Sequence, residues 1–164
     1  MQGRTEMNRV ATCLLSAILC GALPAFAADA PTNFAGTWKL DTARGENLGM
    51  MAAMQQTLVI TQSSAQLVLR EASDFQGQKS EREVRYDLSG APVTNPGPMG
   101  GATETVAQWV GDKLVVTSTA EGSVAGTKTV RTETRSLSSD GRTMTVESVR
   151  GAGKPVVMVY GKVE

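Results

Sequence analysis

Arg131, Glu133 and Arg135 stand at alternate positions of one Thr-rich segment. Side chains two apart on a strand share a face, so these three charges act together. Facing inward, Arg131 and Arg135 would form a buried anion clamp for a carboxylate or phosphate. Burying charge is expensive, so the set is expected to face solvent, leaving Val130, Thr132, Thr134 and Ser136 on the other side. Arg82 poses the same question, since it shares a face with Val84 and Tyr86 but sits near a strand end. Tyr86, Trp109 and Tyr160, with Leu, Val and Met side chains around them, are candidates to line an interior space. Arg131 is retained with them as a fourth candidate ligand-binding residue.

Other chemistry is scarce. The chain has no histidine, and its two cysteines are Cys13 and Cys20, close to the start. The usual proton shuttle, thiolate nucleophile and imidazole or thiolate metal site are therefore missing from the rest. No Gly-x-Ser-x-Gly elbow occurs, and no serine has a histidine to activate it. Glu81 and Glu83 flank Arg82 and read as surface charge rather than an acid–base pair. Met50, Met51 and Met54 carry thioethers that suit Cu(I), yet methionine more often fills irregular apolar space. No catalytic residue, metal or cofactor is expected.

The elements that must position these residues begin after a leader. Residues 7–27 run from Arg9 through an apolar stretch, Val10 to Leu23, to Pro24 and the small-x-small triplet Ala25-Phe26-Ala27. That order is a secretory signal peptide, too short for a comfortable membrane span. Residues 1–27 are read as an N-terminal extension and signal peptide, with Met1 or Met7 as the natural start, and 28–164 as one β-barrel domain. Removing Arg4, Arg9 and Glu6 leaves 14 basic and 15 acidic groups. A net charge near zero provides no field for nucleic acid. The expected location is periplasmic or secreted, with no membrane span in the mature chain.

Residues 36–163 alternate in short runs separated by turn signals. Nine strands are predicted: Gly36–Asp41, Gln56–Gln62, Ala65–Ser73, Lys79–Leu88, Glu104–Val110, Lys113–Glu121, Gly126–Ser138, Arg142–Arg150 and Pro155–Val163. So long a meander in one small domain removes its free edges by closing into an antiparallel up-and-down barrel of about 8–10 strands. Ala and Met in Thr42–Gln55 predict a short helix or irregular cap across one end, with Asp41 or Asn47 as cap. Ser89–Thr103, with three prolines and three glycines after Ala91, is predicted to be irregular.

Phe34-Ala35-Gly36-Thr37-Trp38-Lys39-Leu40-Asp41 places Gly-x-Trp on the first strand. With the stretches Trp109–Val116 and Ser138–Thr145, this resembles the calycin group, meaning lipocalins and fatty-acid-binding proteins. The nearest resemblance is to small secreted bacterial lipocalin-like proteins. The resemblance implies a lipocalin-like barrel and a basic side chain, Lys162 or Arg150, covering Trp38. Two features of fatty-acid-binding proteins are absent. Their carboxylate-clamping Arg-x-Tyr is Met158-Val159-Tyr160 here, and Thr42–Gln55 is too short for their two-helix lid. The expectation is an exported, non-enzymatic protein holding a small apolar or amphipathic ligand in the barrel. The alternative is a protein–protein interaction or inhibitor-like module using the loops Thr42–Gln55 and Ser89–Thr103.

Overall fold

A computed structural model describes residues 31–98 and 100–163. The leader reading, residues 1–27, lies outside the described residues. Ten strands form a single antiparallel sheet: β1 (Gly36–Leu40), β2 (Met54–Gln62), β3 (Gln66–Phe75), β4 (Gln78–Asp87), β5 (Val93–Pro96), β6 (Ala102–Val110), β7 (Lys113–Glu121), β8 (Lys128–Leu137), β9 (Thr143–Arg150) and β10 (Val156–Val163). Their order is β4-β3-β2-β1-β10-β9-β8-β7-β6-β5. β1 and β10 pair, with Trp38 opposite Lys162, and bring the two ends of the meander together. The sheet curls so that β4 and β5 lie side by side, giving an all-β, nearly closed barrel.

The sequence set the strands because side chains alternate along them. In β2, Leu58 and Ile60 are buried while Val59 faces out; in β3, Leu67 and Leu69 repeat the pattern. Turn chemistry fixes register at the hairpins. Ser63 Oγ accepts from the amides of Ala65 and Gln66 between β2 and β3. Between β8 and β9, Asp140 accepts from the Arg142 amide, and Gly141 takes φ +67°.

Two connections differ from expectation. Thr42–Gln55 contains two short 3-10 turns, Thr42–Arg44 and Gly49–Ala53, rather than an α-helix. Asp41 caps the first through its carboxylate. Asn47 instead donates to the Pro155 carbonyl and takes φ +54°. The irregular reading of Ser89–Thr103 is corrected by β5. Its proline is tolerated because Pro96 ends an edge strand, where no ladder donor is required.

β4 and β5 share no backbone ladder. Asn95 takes its place: its side-chain oxygen accepts from the Arg85 amide at 2.8 Å, and its amide nitrogen donates to the Arg85 carbonyl at 2.8 Å. The same nitrogen also donates to Thr105 Oγ1 at 2.7 Å, and that hydroxyl donates to the Val93 carbonyl at 3.1 Å. A single side chain thus satisfies both backbone groups of one residue across the seam.

One end of the barrel is sealed. Phe34, Trp38, Ile60, Leu67, Leu114, Val116 and Met144 fill it. Trp38 is fully buried and donates its indole N–H to the Phe34 carbonyl at 2.9 Å. Lys162 Nζ lies 5.3 Å from the Trp38 ring centroid, the cationic cover that the resemblance implied. Such a contact contributes about 0.5–1 kcal/mol at an exposed site. Gly36 makes it fit: its φ is +139°, and a Cβ there would stand 2.9 Å from Lys162 Cε.

Candidate functional site

The other end of the barrel opens into a cavity of about 900 Å³. Its walls change character along the axis because each strand contributes every second residue. Nearest the sealed end the lining includes Leu58, Leu69, Val84 and Val146, with Tyr86 and Tyr160. Next comes a polar belt of Gln56, Glu71, Arg82, Glu133 and Arg135. Met51, Met54, Phe75, Pro96, Pro98 and Val156 form an apolar mouth, interspersed with Lys79, Arg131, Arg150 and Lys154.

The charges of β8 therefore face inward, and the expectation that they face solvent is corrected. Register supplies the reason. Arg135, Glu133 and Arg131 stand opposite Leu114, Val116 and Ser118 of β7, all buried. Directly opposed residues share a face, so the core phase of β7 turns the β8 charges in. Pairing makes the burial tolerable. Glu133 sits between Arg135 at 2.9 Å and Arg131 at 3.4 Å. Arg135 also lies 5.6 Å from the Tyr86 ring centroid, with Nη2 3.4 Å from the Tyr86 hydroxyl. Burial pulls against its charge, but Tyr86 and Glu133 beside it outweigh that and hold the guanidinium protonated. The side chain is 5% exposed, and its Nε and Nη1 have no hydrogen-bond partner in the protein.

A second network crosses the belt. Tyr160 donates to Gln56 Oε1 at 2.5 Å, and Gln56 Nε2 donates to Glu71 at 2.8 Å. Arg82 donates to the other Glu71 oxygen through both Nε and Nη2, at 3.0 and 2.7 Å. Both Glu71 oxygens are thereby engaged. Glu83, by contrast, lies between Arg70 and Arg85, whose hydrogen bonds hold its carboxyl below the usual range. Glu81 is at the cavity rim.

Of the four candidate ligand-binding residues, Tyr86, Arg131 and Tyr160 line this cavity. Trp109 does not. It stacks on Phe34 at the sealed end, with ring centroids 6.1 Å apart, and this placement corrects its assignment. The methionine triad is also divided, with Met51 and Met54 at the mouth and Met50 82% exposed. Among the described residues no group of three or more Asp or Glu converges as a metal site would require. No helix among them is long and apolar enough to cross a membrane.

Sequence reasoning missed Gln56 and Glu71, and it placed Arg135 on the wrong face. All three are in phase with buried apolar residues of their own strand or its partner: Gln56 with Leu58, Glu71 with Leu69, and Arg135 with Leu114 across the β7 register. A polar residue in step with the core was the available signal.

Burial pushes both tyrosine phenols above their usual value, with Arg135 opposing the shift. Tyr86 and Tyr160 are the chain's two tyrosines. A free phenol is half ionised at about pH 10. The folded protein is therefore expected to show almost no phenolate absorbance there, and the signal is expected to rise only as the barrel unfolds. The sign follows: a raised pKa adds stability that is whole below about pH 10 and is lost as pH climbs through the folded-state value. Two phenolates titrating near pH 10 in folded protein would refute the burial of these hydroxyls.

No family model matches the chain, and no curated protein matches its sequence. Solved structures do. The REP1-NXSQ fatty acid transporter superposes with a TM-score of 0.62 at 14% identity, covering 79% of this chain and 96% of that one. The likeness is to the antiparallel barrel of that protein and is one of fold. A Schistosoma mansoni fatty acid binding protein in complex with arachidonic acid gives 0.62 at 16% identity, over 80% of this chain and 96% of that one. Human cRBP IV gives 0.61 at 16% identity, over 81% and 100%. At these identities the likeness establishes the fold. Within this barrel, β1 is joined to β2 through a connection that carries two short 3-10 turns.

Proposed function

We propose that this chain is an exported, non-enzymatic binding protein that holds a small amphipathic molecule inside its barrel. One observation carries the reading: a cavity of about 900 Å³ contains a buried guanidinium with two nitrogens that no protein atom satisfies. Ligand pockets occupy about 300–1,000 Å³, and a few convergent polar groups in an apolar wall fix orientation. Here the apolar wall is Leu58, Leu69, Val84 and Val146, and the orienting groups are Tyr86, Arg131, Arg135 and Tyr160. The solved neighbours named as fatty-acid or lipid carriers agree with this role through their fold. A loop-borne interaction module, the alternative, is favoured by a packed interior, and this interior is open.

Native mass spectrometry of protein from its own host tests the reading. A small-molecule adduct is expected that disappears on denaturation. Protein of bare mass that also gives no calorimetric signal with any amphiphile would remove the proposal. Export has its own check: periplasmic or secreted material is expected to begin at Ala28, and protein retaining Met7 in the cytoplasm would contradict it.

A further inference from the structure

We propose that Arg131, Arg150 and Lys154 make the mouth of the barrel a phosphate site, which holds a single-chain amphiphile by its phosphate head while the tail runs towards the sealed end. The inference rests on the cavity being a binding site, as above. Charge balance carries it. Among the described residues six cations and three anions line the cavity, although the chain as a whole is neutral. The deep cations are matched: Arg82 pairs with Glu71 at 2.7 Å, and Arg135 with Glu133 at 2.9 Å. Lys79 and Glu81, two apart on β4 at the rim, offset each other. Arg131, Arg150 and Lys154 remain, and all three are at the mouth. Arg131 reaches only the second oxygen of Glu133, at 3.4 Å. Among the described residues no carboxylate pairs with Arg150 or Lys154.

Register brings the two arginines together. Arg131 of β8 is directly opposite Arg150 of β9. Residues so opposed have Cβ atoms about 4.5–5.5 Å apart, and like charges there repel. Both are in the inward phase, Arg131 with Glu133 and Arg150 with Ser148 and Val146, all of them buried. A phosphate between two guanidinium forks turns that repulsion into paired, charge-assisted hydrogen bonds. The turn after β9 is closed by the Gly153 amide, which donates to the Arg150 carbonyl at 3.0 Å, and it returns Lys154 to the same rim. A dianion is favoured here over the belt, where it would lose its hydration beside Glu71 and Glu133. The tail direction follows from the wall beyond the belt, which is Leu58, Leu69, Val84 and Val146.

Isothermal titration at low salt with dodecyl phosphate, dodecanoate, dodecan-1-ol and inorganic phosphate tests this, each amphiphile below its aggregation threshold. At about pH 8 the phosphate monoester is close to doubly charged. Dodecyl phosphate is expected to bind at least about tenfold more tightly than dodecanoate or the alcohol, and at least about a hundredfold more tightly than inorganic phosphate. Arg150→Gln is expected to lower the phosphate-over-carboxylate ratio about tenfold. Lys113→Gln, at an exposed lysine away from the cavity, is expected to leave it unchanged. With protein in excess, the phosphorus NMR line of dodecyl phosphate is expected to broaden when a neutral gadolinium chelate is added, as a head at the mouth requires. If no amphiphile binds, the proposed function falls and this inference with it. If dodecanoate or the alcohol matches dodecyl phosphate, the cavity stands as a binding site and the phosphate site is overturned. Inorganic phosphate binding equally well would overturn the placement of the tail. Equal losses in the two variants would mean general charge attraction, and a phosphorus line shielded from the chelate would put the head deep; either result overturns the proposal. The wild-type ranking and the NMR line are decisive even where a variant does not fold.

Discussion

Replacing Trp38 with alanine is expected to destabilise the barrel by about 3–5 kcal/mol, the range for truncating a buried aromatic. Trp38 is fully buried, and its indole N–H holds the Phe34 carbonyl. Truncation leaves a void in the one region of the barrel that is packed solid, and it strips Lys162 of the ring it covers. Net stabilities of small domains are about 5–15 kcal/mol, so this substitution removes a large part of the total. Urea unfolding should show the midpoint falling with an unchanged slope. Met51→Ala at the cavity mouth is the internal comparison. Its surroundings already contain open space, and its cost is expected to stay below about 1 kcal/mol. Similar losses at the two sites would contradict the division of the barrel into a solid end and a hollow one.

Asn95→Leu is expected to cost about 2–4 kcal/mol. The substitution leaves both the N–H and the C=O of Arg85 without their partner, and each unsatisfied buried group costs about 1–3 kcal/mol. It also strands Thr105 Oγ1, which accepts from the same amide. Asn95→Asp keeps the acceptor and loses the donor, so an intermediate loss is expected. Hydrogen exchange distinguishes this from a general weakening. The Arg85 amide is expected to exchange faster in Asn95→Leu well below the unfolding transition, while the Leu58 amide in β2 holds. Parallel acceleration at both positions would mean that Asn95 supports the fold as a whole rather than the seam between β4 and β5.

The barrel was legible in the sequence because alternation and turn chemistry are local. Val84, Tyr86 and Leu88 against Glu83, Arg85 and Asp87 give the facing of β4 directly, and Gly-x-Trp marks the strand that joins the chain's two ends. β5 was hidden because a four-residue strand ends on Pro96 and is flanked by Pro92 and Pro98. Its place is set by Asn95 reaching a residue on another strand, and no local pattern encodes such a contact. The interior charges were misread for a related reason. The cost of burying Arg135 was weighed for an isolated ion, whereas Glu133 and the ring of Tyr86 stand beside it. Trp109 shows the opposite error: a large aromatic on a strand was assigned to the hollow, although the Phe34 side chain had already drawn it to the sealed end.

The placement of the indoles has a practical consequence. Both tryptophans of the chain are at the plugged end, and neither borders the cavity. Intrinsic emission will therefore follow melting of the plug while staying nearly silent as cargo loads, so a flat fluorescence trace is no sign of an empty barrel. Loading must be read from heat, mass or an extrinsic dye.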